Sequence, residues 1–162
     1  MRKNTGRKKI RERSTVFFPN LFTTGNLFCG FYSIISSLNS NYSLAAYLIM
    51  AAALFDLFDG RVARMLNGVS EFGKQYDSLS DMLSFAIAPV VLAYLVWFVD
   101  LPGHFWLIAF LFVSCGAMRL AKFNIISSNK SSDFFSGLPI PVAASTVAAS
   151  FLFLRYFDVT YG

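Results

Sequence analysis

The stretch Leu54-Phe-Asp-Leu-Phe-Asp-Gly-Arg-Val-Ala-Arg-Met-Leu-Asn-Gly-Val-Ser-Glu-Phe-Gly-Lys-Gln-Tyr-Asp-Ser-Leu-Ser-Asp81 sets four aspartates into a strongly apolar chain. Asp56 and Asp59 are three residues apart, and Asp77 and Asp81 four apart, so each pair shares a face if its segment is helical. The polar link from Asn67 to Gln75 is short, which predicts that the two helices are antiparallel neighbours. Four carboxylates can then converge between them.

Working outward, the flanks are apolar for lengths that suit a membrane. The chain is 56% hydrophobic and only 14% charged, with 19 phenylalanines, and its mean hydropathy is +0.55. An ordinary soluble domain carries about 25% charged residues. A spanning helix needs about 20 mostly apolar residues, and five segments qualify: Phe17 to Leu38, Leu44 to Leu66, Tyr76 to Val99, Phe105 to Phe123 and Pro139 to Phe157. The expected fold class is therefore all-α, a polytopic membrane protein with five visible spans. One transmembrane domain (17–162) follows a basic segment (1–16), and no repeat or linker suggests a second domain.

Charge distribution predicts the orientation. Half of all Lys and Arg lie between Met1 and Arg13. A basic run directly before an apolar helix marks a cytoplasmic flank facing anionic membrane lipids rather than a nucleic-acid arm, so no nucleic-acid partner is expected. With the N-terminus cytoplasmic, Arg61, Arg64, Lys74, Arg119, Lys122 and Lys130 fall on the same side, and Arg155 alone falls opposite. The aspartates then lie on the cytoplasmic halves of their helices, open to soluble metabolites. Cys29 and Cys115 sit in apolar runs without metal-type spacing and read as buried thiols. His104, the single histidine, lies beside Pro102-Gly103 in a turn and suggests neither a zinc site nor a triad.

Four ionised carboxylates in membrane helices repel one another and are costly, so a cation must compensate. Arg64 alone is not enough. Oxygen-only ligands suit Mg²⁺, Mn²⁺ or Ca²⁺ rather than zinc, and two ions about 3.5–4 Å apart would serve four carboxylates and a phosphate-bearing substrate. Gly60 and Gly73, in step with the aspartates, point to a ligand cleft rather than to helix packing alone.

The pattern D-x2-D-G-x2-A-R-x8-G-x3-D-x3-D, carried by Asp56, Asp59, Gly60, Ala63, Arg64, Gly73, Asp77 and Asp81, resembles the signature of the CDP-alcohol phosphotransferase family. The resemblance implies that Asp56, Asp59 and Asp77 hold two divalent cations, Mg²⁺ or Mn²⁺, and that Asp81 touches the second ion and acts as general base. It implies that Gly60, Ala63, Arg64, Ser70 and Gly73 contact the CDP-lipid, with Asn20, Thr23 and Asn26 of the first helix as further nucleotide contacts.

Two flanking stretches bear on the acceptor. Pro19-Asn-Leu-Phe-Thr-Thr-Gly-Asn-Leu-Phe-Cys-Gly-Phe31, and Arg119-Leu-Ala-Lys-Phe-Asn124 followed by Phe135-Ser-Gly-Leu-Pro-Ile-Pro141, resemble the members that join CDP-diacylglycerol to L-serine. Arg119 is the expected contact for the serine carboxylate. Glycerol 3-phosphate, giving phosphatidylglycerophosphate, is the alternative acceptor, and a divalent-cation transporter is the alternative class. The family usually has six spans where five are counted here, and its members pair through C-terminal helices, so a homodimer is a weakened expectation.

Overall fold

The structure is a computed structural model. It describes residues 4–65, 70–99, 103–128 and 139–157, with side chains from 20–62, 70–99, 103–125 and 139–157. Five helices are present among the described residues: α1 (Asn4–Leu38), α2 (Tyr42–Met65), α3 (Glu71–Phe98), α4 (Phe105–Ser128) and α5 (Ile140–Tyr156). Four helical segments are long and apolar enough to cross a membrane: Asn20–Leu38, Tyr42–Val62, Glu71–Phe98 and Phe105–Ile125. The fifth expected span, α5, is a shorter apolar helix of 17 residues, about 26 Å long at 1.5 Å per residue. The protein is an integral membrane protein by this architecture. Its surface suits lipid, with Phe31, Phe110, Leu111 and Phe153 all exposed. Pro19, Ala63, Arg64, Lys130, the Phe135–Leu138 part of the acceptor hallmark and the basic N-terminal side chains lie outside the described side chains.

Helix boundaries moved where polar residues extend a helix past its apolar window. The third helix begins at Glu71, not Tyr76, because Ser70 caps it: the Ser70 hydroxyl accepts from the Gly73 N–H at 2.9 Å, and Glu71 meets the positive end of the helix dipole. The first helix likewise runs back to Asn4 through the basic segment.

α1 and α2 form a tight hairpin. The Asn41 N–H donates to the Ser36 carbonyl (2.8 Å) and the Ser40 N–H to the Ser37 carbonyl (3.0 Å), the paired bonds of a Schellman ending. Ser40 takes the left-handed position at φ 61°, where a Cβ is unfavourable. Ser40→Gly is expected to raise stability by about 0.5–1 kcal/mol, read as a higher unfolding midpoint in detergent with activity unchanged.

The core is made mostly of small residues. Ala45, Ala46, Ile49 and Ala52 of α2 pack with Phe85, Ala88 and Leu92 of α3 and with Ala144, Ala148 and Phe151 of α5, letting backbones approach closely. α3 is not uniform: residues Met82–Ile87 and Tyr94–Phe98 form wide π-helical turns. Pro89 follows the first of them. A proline ring collides with the carbonyl four residues back, and a widened turn relieves that collision.

One expectation about the thiols is corrected. Cys29 is buried, but Cys115 is exposed on α4. α4 is apolar on all sides and little of its span is covered by protein, so its sequence alone does not tell a lipid-facing position from a buried one.

Candidate metal centre

The helices of the aspartate hairpin do not simply lie side by side. α1 packs against both α2 and the first turns of α3, whereas α2 and those turns scarcely touch. The result is a cleft with α1 as its floor, Asp56 and Asp59 on one wall, and Asp77 and Asp81 on the other. The expected neighbours α2 and α3 do meet in the core, through Ala52 and Ile49 against Phe85, Ala88 and Leu92, but at the aspartate level α1 packs against both. The reason lies in hydroxyls of α3 that reach α1: Ser80 Oγ donates to the Thr23 carbonyl (3.1 Å) and Ser84 Oγ to the Asn26 carbonyl (3.0 Å).

Carboxylate oxygens of Asp56, Asp59 and Asp77 lie within 4.8 Å of one another. Asp59 is buried, and Asp56 and Asp77 are half-buried. The Asp77 Oδ1 atom is buried with no hydrogen-bond partner among the described residues. Three converging carboxylates, one of which carries an unsatisfied buried oxygen, fit a hard divalent cation, and all the donors are oxygen. Asp81 is buried as well and stands outside that trio.

The polar residues of α1 serve the aspartates. Thr23 Oγ1 donates to Asp59 Oδ2 at 3.1 Å, and Asn26 Nδ2 donates to Asp81 Oδ1 at 3.0 Å. Both residues are buried. Asn20 is half-buried and faces Gly73, where an added Cβ would stand 3.3 Å from Asn20 Oδ1 and 3.1 Å from Ser70 Oγ. Gly73 therefore lets the start of α3 close on α1. Ser70, expected at the nucleotide, caps α3 with its hydroxyl. Gly60 is half-buried on the α2 wall, and Arg119 is half-buried on α4. Ala63 and Arg64 belong to α2, one turn beyond Gly60, with side chains outside the described residues.

Several contributors escaped the sequence reading. Ser80 and Ser84, four apart in an apolar run, were the available signal for a second packed face. Tyr76, next to Asp77, meets Thr24 of α1 at 3.1 Å. Asn124 ties the end of α4 to α3: its carbonyl accepts from Lys74 Nζ (2.8 Å), and its amide contacts Ser78 Oγ (2.9 Å). Lys74, counted among the basic residues of the cytoplasmic side, is also engaged in helix packing.

Comparison with known proteins agrees with this geometry. The family profile of CDP-alcohol phosphatidyltransferase matches residues 16–161. A CDP-diacylglycerol–serine O-phosphatidyltransferase of Helicobacter pylori (strain ATCC 700392 / 26695) is 40% identical over 130 residues, covering 80% of this chain and 55% of the relative. The protein of the same name from Bacillus subtilis (strain 168) is 41% identical over 127 residues, covering 78% of this chain and 71% of the relative. An archaetidylserine synthase of Methanothermobacter thermautotrophicus is 40% identical over 147 residues, covering 90% of this chain and 61% of the relative. The chain spans little more than half the length of the Helicobacter relative. With the motif, the helical cleft and the profile match in agreement, the chain belongs to the CDP-alcohol phosphatidyltransferase family.

Proposed function

We propose that this protein transfers the phosphatidyl group of CDP-diacylglycerol to the hydroxyl of L-serine, giving phosphatidylserine and CMP. The observation that carries the reading is the convergence of Asp56, Asp59 and Asp77 oxygens from two helices within 4.8 Å, in a chain whose relatives bear serine phosphatidyltransferase names. The reaction centre lies on the cytoplasmic side, as the basic residues of the N-terminus and of the 2–3 and 4–5 links favour.

Asp56, Asp59 and Asp77 would hold two divalent cations, Mg²⁺ or Mn²⁺, with Asp81 at the edge of the second. When bound, such ions neutralise the pyrophosphate and the charge developing on the leaving phosphate. Gly60, Ala63, Arg64, Ser70, Gly73 and Asn20 are assigned to the CDP moiety, and Arg119 to the serine carboxylate. The serine oxygen attacks the lipid-side phosphorus. The new P–O bond forms as the bond to the bridging oxygen breaks, and CMP leaves with that oxygen and its electron pair. Asp81 takes the proton from the serine hydroxyl as attack proceeds.

The test is an acceptor assay on purified protein with CDP-diacylglycerol and Mn²⁺ or Mg²⁺. CMP release is expected to require serine, and the lipid product to be phosphatidylserine. Equal release without serine would remove serine as acceptor, and a phosphatidylglycerophosphate product with glycerol 3-phosphate would replace it. Metal flux into sealed vesicles without CDP-lipid would instead favour a transporter.

A further inference from the structure

We infer that Asn26 is a positioning residue for Asp81, its amide holding the carboxylate in the orientation that leaves one oxygen for the acceptor proton. This rests on the reading of Asp81 as the base. It departs from the reading of Asn26 as a nucleotide contact, because the structure commits the side chain elsewhere.

Asn26 is fully buried on the face of α1 that meets α3. Its neighbour Asp81 offers only acceptors when ionised, so the atom at 3.0 Å from Asp81 Oδ1 must be the amide nitrogen. That bond occupies one carboxylate oxygen and leaves Oδ2 for chemistry. The backbone around it is fixed independently: Ser80 and Ser84 donate to the carbonyls of Thr23 and Asn26, one on each side of the Asp81 level. Gly30 lets α1 lie against Ser84, whose Cα is 2.7 Å from where a Cβ at residue 30 would stand. Helix register therefore does not depend on the Asn26 side chain.

Packing alone does not account for an amide here. The Asn26 Oδ1 atom is buried without a partner among the described residues, a situation that costs about 1–3 kcal/mol. An apolar side chain would avoid that cost. The same geometry explains a division of labour among the four aspartates. Thr23 braces Asp59, which stays in the trio, while Asn26 braces Asp81 apart from it.

The experiment compares Asn26→Ala with Ser84→Ala and Asp81→Asn, using single-turnover rate at saturating substrates, equilibrium CMP affinity in Mn²⁺, and unfolding midpoint. Asn26→Ala is expected to slow turnover by about 10–100-fold, a fraction of what a general base supplies. Its CMP affinity should stay within about threefold of wild type. Ser84→Ala, which removes a register bond but keeps the amide, should keep turnover within about threefold. If Asn26→Ala does not fold, Asn26→Ser carries the test, its hydroxyl being too short to reach Asp81.

A parallel loss of CMP affinity would return Asn26 to the nucleotide and overturn the inference. So would unchanged turnover, or an equal loss in Ser84→Ala. Asp81→Asn separates the two layers. If it is inactive while Asn26→Ala is normal, only the positioning role fails; if Asp81→Asn turns over normally, the base assignment fails and the inference falls with it.

Discussion

Asp77→Asn is expected to lower CMP release by about a thousandfold, roughly 4 kcal/mol of transition-state stabilisation. Asp77 supplies one of the three oxygens that meet within 4.8 Å, and its buried Oδ1 has no partner among the described residues. A neutral amide of the same shape removes the charge while making no new clash. The half-saturating concentration of Mn²⁺ should rise at least about tenfold, since a carboxylate ligand is lost. Stability should move the other way. Without metal, Asp56, Asp59 and Asp77 repel one another, so the variant should unfold at an equal or higher temperature in metal-free detergent. Turnover within tenfold of wild type would remove Asp77 from the metal centre.

The second large effect is expected at Gly30. In Gly30→Ala, the new Cβ would stand 2.7 Å from Ser84 Cα and 2.8 Å from Ser84 Cβ. Neither atom is the free end of a flexible side chain, so α1 and α3 must part by about 1 Å to reach normal contact. Overpacking of this kind costs about 1–3 kcal/mol. The separation falls at Ser84 and Asn26, so it also strains the Asn26–Asp81 bond, and a displacement of that size can cost about a hundredfold in rate. Gly25→Ala is the comparison, because the nearest atoms to its Cβ would be those of the Phe55 ring, at 3.2 Å, and a ring can shift. Thermal unfolding and CMP release of the two variants check the difference. Equal behaviour would mean that the α1–α3 approach is not tight.

The sequence made the helices and the aspartate pairs legible, because the apolar windows are long and the three- and four-residue spacings have one helical meaning. It did not reveal that α1 lies between the walls of the cleft. A short link predicts that α2 and α3 are neighbours, as they are in the core, but Ser80 and Ser84, small polar residues in an apolar run, bring the start of α3 against α1 as well. Their partners are backbone carbonyls, which carry no residue-type signal. The two wide turns of α3 were also hidden, apart from Pro89. Each adds a residue to a turn and rotates the face beyond it, so the periodicity of residues 76–99 does not extrapolate. Thr23 and Asn26 were recognised as site residues, but their spacing could not say that they brace Asp59 and Asp81. Asn124 was quoted as part of a motif, and only the fold shows it fastening α4 to Lys74 and Ser78.

The hairpin turn at Ser40 has a reach beyond its own bonds. Ser33 Oγ meets the Ala45 carbonyl at 2.9 Å, and farther down the same pair of helices Thr23 meets Asp59. Thr23 is 17 residues from Ser40, about 25 Å along the axis. The turn is a ruler: it sets the height at which Asp59 arrives beside α1. One added residue there would slide α2 by about 1.5 Å and rotate it by about 100° against α1. A loop with no chemistry of its own thereby gauges the distant carboxylates, and its length should be guarded more closely than that of an ordinary surface loop.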